Sequence, residues 1–205
     1  MKHVLVTGFE PFGDQTINPS ERLSLALEKD FPFVTSQILP VEFELAFTEL
    51  QRSWKDRPFD ALVMLGQAGG RNHICLERYA HNWMENKNAD RRNPVITPRP
   101  ISDGAPAALM TSLPVEELRD HLNQTHHDTT QPAPPVSVTL SAGNYVCNYV
   151  YFRALQELSG NTIPTLFVHV PYLPEQISAT TSAPSMDFNK QLAVLSSLIQ
   201  ILAKK

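Results

Sequence analysis

Apolar residues along this chain fall into short continuous runs, separated by segments whose apolar positions recur at helical spacing. His3 to Thr7 predicts a buried strand that ends in a turn at Gly8, and Pro19-Ser20-Glu21 then opens a helical pattern through Leu23, Leu25, Ala26 and Leu27. A second strand is predicted around Val34 to Leu39. Past Pro40, Val41 to Lys55 reads as an amphipathic stretch, with Leu45, Ala46, Leu50 and Trp54 at roughly helical spacing. Asp60 to Gly66 is a strongly apolar strand that stops at a glycine-rich loop, Gln67-Ala68-Gly69-Gly70-Arg71. Ile74 to Asn82 predicts one further strand. Asn86 to Pro106, polar and rich in proline and arginine, predicts an extended surface loop. The remainder reads as a helix from Val115 to about His126, a turn containing Pro132, Pro134 and Pro135, a strand from Val136 to Leu140 and a helix starting near Tyr145. A strand from Thr165 to Val170 and an amphipathic helix from about Met186 to Ala203 follow.

Strands alternating with helices imply a single-domain three-layer α/β/α sandwich around a largely parallel, twisted sheet, with functional loops at the carboxyl ends of the strands. At 205 residues, the chain is expected to form one catalytic domain spanning 1–205. No internal repeat is visible.

Charge narrows the functional classes. The net charge is -4 and the basic residues are scattered, which gives no footprint for nucleic acid or an anionic membrane. The opening Met1-Lys2-His3-Val4-Leu5-Val6-Thr7-Gly8 lacks the apolar region of a signal peptide, and no stretch is long enough to span a bilayer. Two cysteines, Cys75 and Cys147, make neither a disulfide framework nor a Cys-x-x-Cys knuckle. A cytoplasmic location with at least one free thiol is expected.

Cys147 ends the run Gly143-Asn144-Tyr145-Val146-Cys147 where a strand pattern gives way to a helix. Unpaired amides at a helix start favour a thiolate and can hold an oxyanion, so Cys147 is the candidate nucleophile. Cys75 has no glycine-rich turn before it and reads as structural. His121, His126 and His127 lie at a polar helix end without a His-Glu-x-x-His pattern, whereas His169 closes an apolar strand near the sheet edge and suits a general base. An imidazole in that role needs a group to fix its tautomer. Glu77 is the best placed acid, although a strand-edge salt bridge with Arg78 or another cation is the simpler reading of its spacing, and Glu10 is another acid available. The loop Gly8 to Gly13 has no phosphate-binding pattern; Phe9 and Phe12 read either as walls of a small apolar pocket or as residues buried under a neighbouring loop. A thiol paired with an imidazole indicates a cysteine hydrolase. The alternatives are an amidase for another small acyl group and a catalytically silent ligand-binding domain.

Several runs in order resemble the pyroglutamyl peptidase I family, the pyrrolidone-carboxylate peptidases, which are cysteine peptidases that remove an N-terminal pyroglutamate. These runs are Val6 to Gly13, Ile17 to Ser20, Leu65 to Arg71, Glu77-Arg78, Ser141 to Asn148 and His169 to Gln176. The resemblance covers nearly the whole chain. It implies Cys147 as nucleophile, His169 as acid and base, and Glu77 as the residue orienting the imidazole. By the same resemblance Phe9 and Phe12 are aromatic walls around the pyrrolidone ring, Gln67 is a polar contact to the substrate or the oxyanion region, and Tyr145-Val146 is the backbone edge that meets the lactam. It further implies peptides with N-terminal pyroglutamate as substrates, no metal or organic cofactor, and self-association as a dimer or tetramer. Two departures stand out. Where the family usually carries an Asp-Ala-Arg-Ile-Pro-Asp-Asn-like stretch, this chain has Glu85 to Arg91 with Lys87 for arginine, and Tyr145 stands where phenylalanine is commoner.

Overall fold

Three of the apolar runs become strands buried almost throughout: β1 (Val4–Phe9), β3 (Ala61–Gln67) and β10 (Thr165–Val170). The computed structural model describes the chain except residues 57, 90–91, 128–134, 159, 161–162, 178–182 and 205, and the side chain of residue 56. Pro132 and Pro134 of the expected turn, and Asp90 and Arg91 of the atypical loop, lie outside the described residues. With β2 (Val34–Leu39), β4 (Ile74–Glu77) and β9 (Val136–Thr139), the three buried strands form one six-stranded sheet in the order β2-β1-β3-β10-β4-β9. Every pairing is parallel except β10 with β4, as the alternating pattern predicts.

Helices cover both faces. On one lie α1 (Pro19–Asp30), α3 (Val115–Thr125) and α5 (Phe188–Lys204), and on the other α2 (Phe43–Asp56) and α4 (Val146–Leu158). Continuous apolar strands are what a sheet covered on both sides requires, because successive side chains point to opposite faces and each must leave water. Full burial of one such side chain contributes about 1.5–3 kcal/mol. The start of α1 is set locally: Asn18 Oδ1 accepts from the Ser20 amide at 3.0 Å, and Pro19 occupies the first turn, where its missing N–H costs nothing. Gly8 lets that helix approach β1, since a Cβ there would lie 2.4 Å from the Ser20 carbonyl oxygen.

Two expectations need correction. Ile74 to Asn82 is not one strand: β4 ends at Glu77, and β5 (Tyr79–His81) pairs instead with β8 (Ala108–Met110) in a separate two-stranded sheet. The break falls at Arg78, whose N–H donates to the Thr139 carbonyl at 2.8 Å while its own carbonyl accepts from the Thr111 amide at 3.1 Å. The backbone therefore changes partners between two sheets. Nor is Asn86 to Pro106 only an extended surface loop. β6 (Met84–Asn86) and β7 (Ile96–Arg99) form an antiparallel pair, and Asn86 and Asn93 are buried. Buried asparagines must be hydrogen-bonded, and Asn93 is: its Nδ2 donates to the Val41 carbonyl at 2.8 Å and its Oδ1 accepts from the Phe43 amide at 3.2 Å. Among the described residues no helix is long and apolar enough to cross a membrane.

Candidate active site

The register of β10 against β4 places His169 opposite Cys75 and Phe167 opposite Glu77. Residues paired across an antiparallel ladder share a face, so all four side chains point to the side covered by α4. Glu77 lies one diagonal step from His169, and its Oε1 is 2.7 Å from His169 Nδ1. β9 adds Thr139 directly opposite Glu77, and the Thr139 hydroxyl donates to Oε2 at 2.5 Å. Arg71, from the glycine-rich loop after β3, donates from Nη1 to Oε1 at 2.7 Å.

These partners decide the charge states. Burial alone would raise the Glu77 pKa, but the hydrogen bond and charge of His169, the Thr139 hydroxyl and the Arg71 guanidinium outweigh it and hold the carboxyl below its usual range. Glu77 is therefore an anion and accepts the proton of His169 Nδ1, which leaves Nε2 of a neutral imidazole as a proton acceptor. Burial holds the His169 pKa below the ordinary imidazole value, although Glu77 acts in the opposite direction.

Cys147 is the second residue of α4. The chain enters that helix through Gly143 at φ 86°, a conformation suited to glycine. The first hydrogen bond of the turn runs from the Tyr149 amide to the Tyr145 carbonyl at 3.1 Å, so the amides of Val146, Cys147 and Asn148 precede the helix's own ladder. Cys147 is half-buried and its sulfur sits close to Gly66: a Cβ on that glycine would lie 2.7 Å from the Phe167 ring and 3.1 Å from Sγ. The expected ease of ionisation is not found. Burial, reinforced by the Glu77 charge, pushes the thiol up to about 12, and the Cys147 amide and Arg71 offset only part of this. The helix-start amide acts in the direction expected of it but is outweighed.

Cys147 and His169 line the same cavity, of about 180 Å³. Phe9, Phe12, Gln67, Tyr145 and Val146 line it as well, so the structure brings all five anticipated pocket residues together with the pair. Glu77 stands behind His169, fully buried. The Gln67 Oε1 accepts from Gln176 Nε2 at 2.8 Å, which orients the amide and leaves Nε2 as the donor it can offer a ligand. The Tyr145 hydroxyl accepts from Asn93 Nδ2 at 2.9 Å, and its ring meets Phe43 edge-on at 5.2 Å. The tyrosine that departs from the family pattern thus has a partner.

Sequence reasoning missed Arg71 and Thr139 as partners of the carboxylate, and Asn18 and Val41 as cavity walls. A carboxylate in an apolar strand does signal that some donor must exist, but not which one. The atypical segment stays docked on the loop before Cys147, because the Glu85 amide donates to the Asn144 carbonyl at 3.0 Å, while Lys87 is exposed. Among the described residues no group of three or more His, Cys, Asp or Glu side chains is placed to hold a metal.

A sequence model of the family described as pyroglutamyl peptidase matches residues 2–205. The chain belongs to the pyroglutamyl peptidase family. It is 33% identical over 207 residues to the pyrrolidone-carboxylate peptidase of Pyrococcus furiosus, covering 97% of this chain and 96% of that one. The crystal structure of pyroglutamyl peptidase I from Bacillus amyloliquefaciens superposes with a TM-score of 0.87 at 32% identity, over 99% of this chain and 95% of that one. The pyrrolidone carboxyl peptidase of Fervidobacterium islandicum superposes with a TM-score of 0.89 at 33% identity, over 100% and 99%. The α/β fold with a mostly parallel central sheet is thus the family's fold.

Proposed function

We propose that this chain is a cysteine exopeptidase that hydrolyses the amide bond after an N-terminal pyroglutamyl residue. One observation carries the reading beyond family membership: the Glu77–His169 pair opens, with Cys147, onto a small cavity whose lining, among the described residues, contains no Asp, Glu, Lys or Arg. A pyroglutamyl lactam has no ammonium to desolvate, so it enters such a site at little cost, whereas an ordinary N-terminus would lose its hydration without gaining a counter-charge.

The Sγ–H proton passes to His169 Nε2 as the sulfur adds to the pyroglutamyl carbonyl carbon. Amides of the first turn of α4 face the charge that develops on oxygen. The tetrahedral adduct collapses as His169 returns the proton to the leaving amine, breaking the C–N bond and leaving a thioester on Cys147. Water, deprotonated by the same imidazole, then cleaves the thioester to pyroglutamate and free thiol. Glu77 holds the ring and stabilises the transient imidazolium; Phe9, Phe12 and the Tyr145-Val146 edge hold the lactam; Gln67 supplies a donor. With the resting thiol neutral, proton transfer accompanies attack instead of preceding it.

We further read residues 1–205 as one catalytic domain, and we infer a cytoplasmic location, supported by the two free thiols. Self-association as a dimer or tetramer is inferred from the family resemblance together with exposed apolar side chains such as Leu45 and Val95. The deciding experiment measures hydrolysis of pyroglutamyl p-nitroanilide beside prolyl, glutaminyl and acetyl analogues. Selective turnover of the first, lost in Cys147→Ser, is expected; preference for another acyl group would redirect the assignment, and no turnover of any would overturn it.

A further inference from the structure

A second, larger groove of about 680 Å³ adjoins the nucleophile loop, and it shares Gly143 and Asn144 with the cavity that carries Cys147. Its volume is in the range that small-molecule sites occupy. Trp83 lies on its wall with 43% of its surface exposed. The backbone that carries this indole is held firmly. Asn148, the residue after the nucleophile, is fully buried and gives its whole carboxamide to it: Oδ1 accepts from the His81 amide at 2.8 Å, and Nδ2 donates to the His81 and Trp83 carbonyls, each at 2.9 Å.

Asn82, which also lines the groove, holds its backbone neighbours in the same way. Asn82 Oδ1 accepts from the Ile101 and Ser102 amides, both at 2.9 Å, and Nδ2 donates to the Ser102 carbonyl at 2.8 Å. The His81 ring is 3.0 Å from the Leu140 carbonyl oxygen through Nε2, which ties the groove to the segment leading into the nucleophile loop. Two buried asparagines are thus spent on pre-shaping a surface feature that the cleavage step itself does not use. Such preorganisation lowers the entropic cost of binding an extended ligand. Among the described residues, no Asp, Glu, Lys or Arg lines this groove.

We propose that this groove receives the residues that follow pyroglutamate, with the Trp83 indole as the platform for an apolar or aromatic side chain of the leaving peptide. The inference rests on the pyroglutamyl peptidase reading and adds a substrate class to it: peptides of three or more residues, apolar in preference to acidic beyond the scissile bond. Continuity with the catalytic cavity through Gly143 and Asn144 is what selects this occupant over others. An aromatic platform on a fixed backbone favours ligand side chains of matching character.

The test compares three substrates: pyroglutamyl methylamide, whose leaving group ends at one carbon, and the tetrapeptides pyroglutamyl-Ala-Phe-Ala and pyroglutamyl-Ala-Asp-Ala. The native enzyme should favour the Phe peptide over the Asp peptide by about tenfold in kcat/KM. Trp83→Ala should lose about tenfold more on the Phe peptide than on the methylamide, through KM, and Trp83→Phe should recover most of that loss. Equal losses on both substrates, or no loss on the peptide, would overturn the proposal. Equal losses accompanied by a smaller sedimenting species would assign the groove to contact between copies of the chain. Methylamide turnover keeps the two levels apart: if it is absent, the peptidase reading itself falls; if it is present with a flat peptide series, only the groove assignment falls.

Discussion

The two faces of the central sheet are built from the same strands and do opposite things. Toward α1, α3 and α5, the strands present Val4, Val6, Val63, Leu65, Leu166, Val168, Val170, Ile74 and Leu76, a predominantly apolar surface. Toward α2 and α4 they start in the same manner, with Leu5, Leu62, Met64 and Phe167, but then give way to Gly66, His169, Glu77 and Thr139. The first face is a stabilising layer that asks for nothing but complementary shape. The second holds a buried anion that must be paired, a sulfur that needs a missing side chain beside it, and a cavity. Strand alternation permits this division, because changing every second residue alters one face and leaves the other intact. The fold can therefore carry a costly polar site without thinning its main core.

Substitutions on the two faces should separate activity from stability. The largest effect is expected for His169→Ala and Cys147→Ser, each lowering turnover of a pyroglutamyl anilide by about three orders of magnitude or more while the melting curve stays cooperative. Near-native turnover in either would remove these side chains from the chemistry. On the opposite face, Leu166→Ala should cost about 2–5 kcal/mol in chemical denaturation while the folded enzyme keeps its kcat within a few-fold. A comparable fall in kcat would show that the faces are not independent. Arg71→Met removes one cationic partner of Glu77 and should reduce kcat by about tenfold, with smaller change in KM; an effect confined to KM would place Arg71 at the substrate instead.

The smallest effect, and the sharpest in sign, is in pH. The folded-state pKa values of both Glu77 and His169 are depressed. Their contribution to stability is therefore complete above the unfolded values, and it is lost as pH falls through the folded ones. For His169 the loss begins below about pH 6.5, and for Glu77 below about pH 4.3. The acid limb of kcat/KM should likewise lie below the ordinary imidazole value. With the thiol pushed up to about 12, alkylation of Cys147 by iodoacetamide should accelerate from neutral to alkaline pH instead of levelling off. It should still exceed alkylation of Cys75, which is buried. An alkylation rate already flat at pH 7 would mean a thiolate at rest.

How much of this was legible beforehand varies with the range of the interaction. β2 and β10 run over the residues that the hydrophobic runs predict, and α1 starts at Pro19 as the Pro19-Ser20-Glu21 run predicts, since burial on both faces and helix starts are written into neighbouring residues. Cys147 and His169 stood out for the same reason, each at the edge of an apolar element. Arg71, Thr139 and Asn93 did not. Their partners are separated from them by 6, 62 and 52 residues, and nothing local marks which distant group each must satisfy. Arg71 is close to Glu77 in sequence, yet the contact exists only because the loop after β3 folds back on β4.

By itself, the sequence determined the six main-sheet strands and the five helices to within a few residues, because these follow from side-chain periodicity over neighbouring positions, but not the short pairs β5–β8 and β6–β7, which form between distant segments. Only the tertiary structure decided that β4 enters the sheet against the direction of β10, which sets Glu77 diagonal to His169 and Thr139 opposite Glu77. It also decided the direction in which the Cys147 pKa shifts. Desolvation depends on everything that surrounds a thiol, and at Cys147 that sum outweighs the helix-start amide that the local sequence foretells.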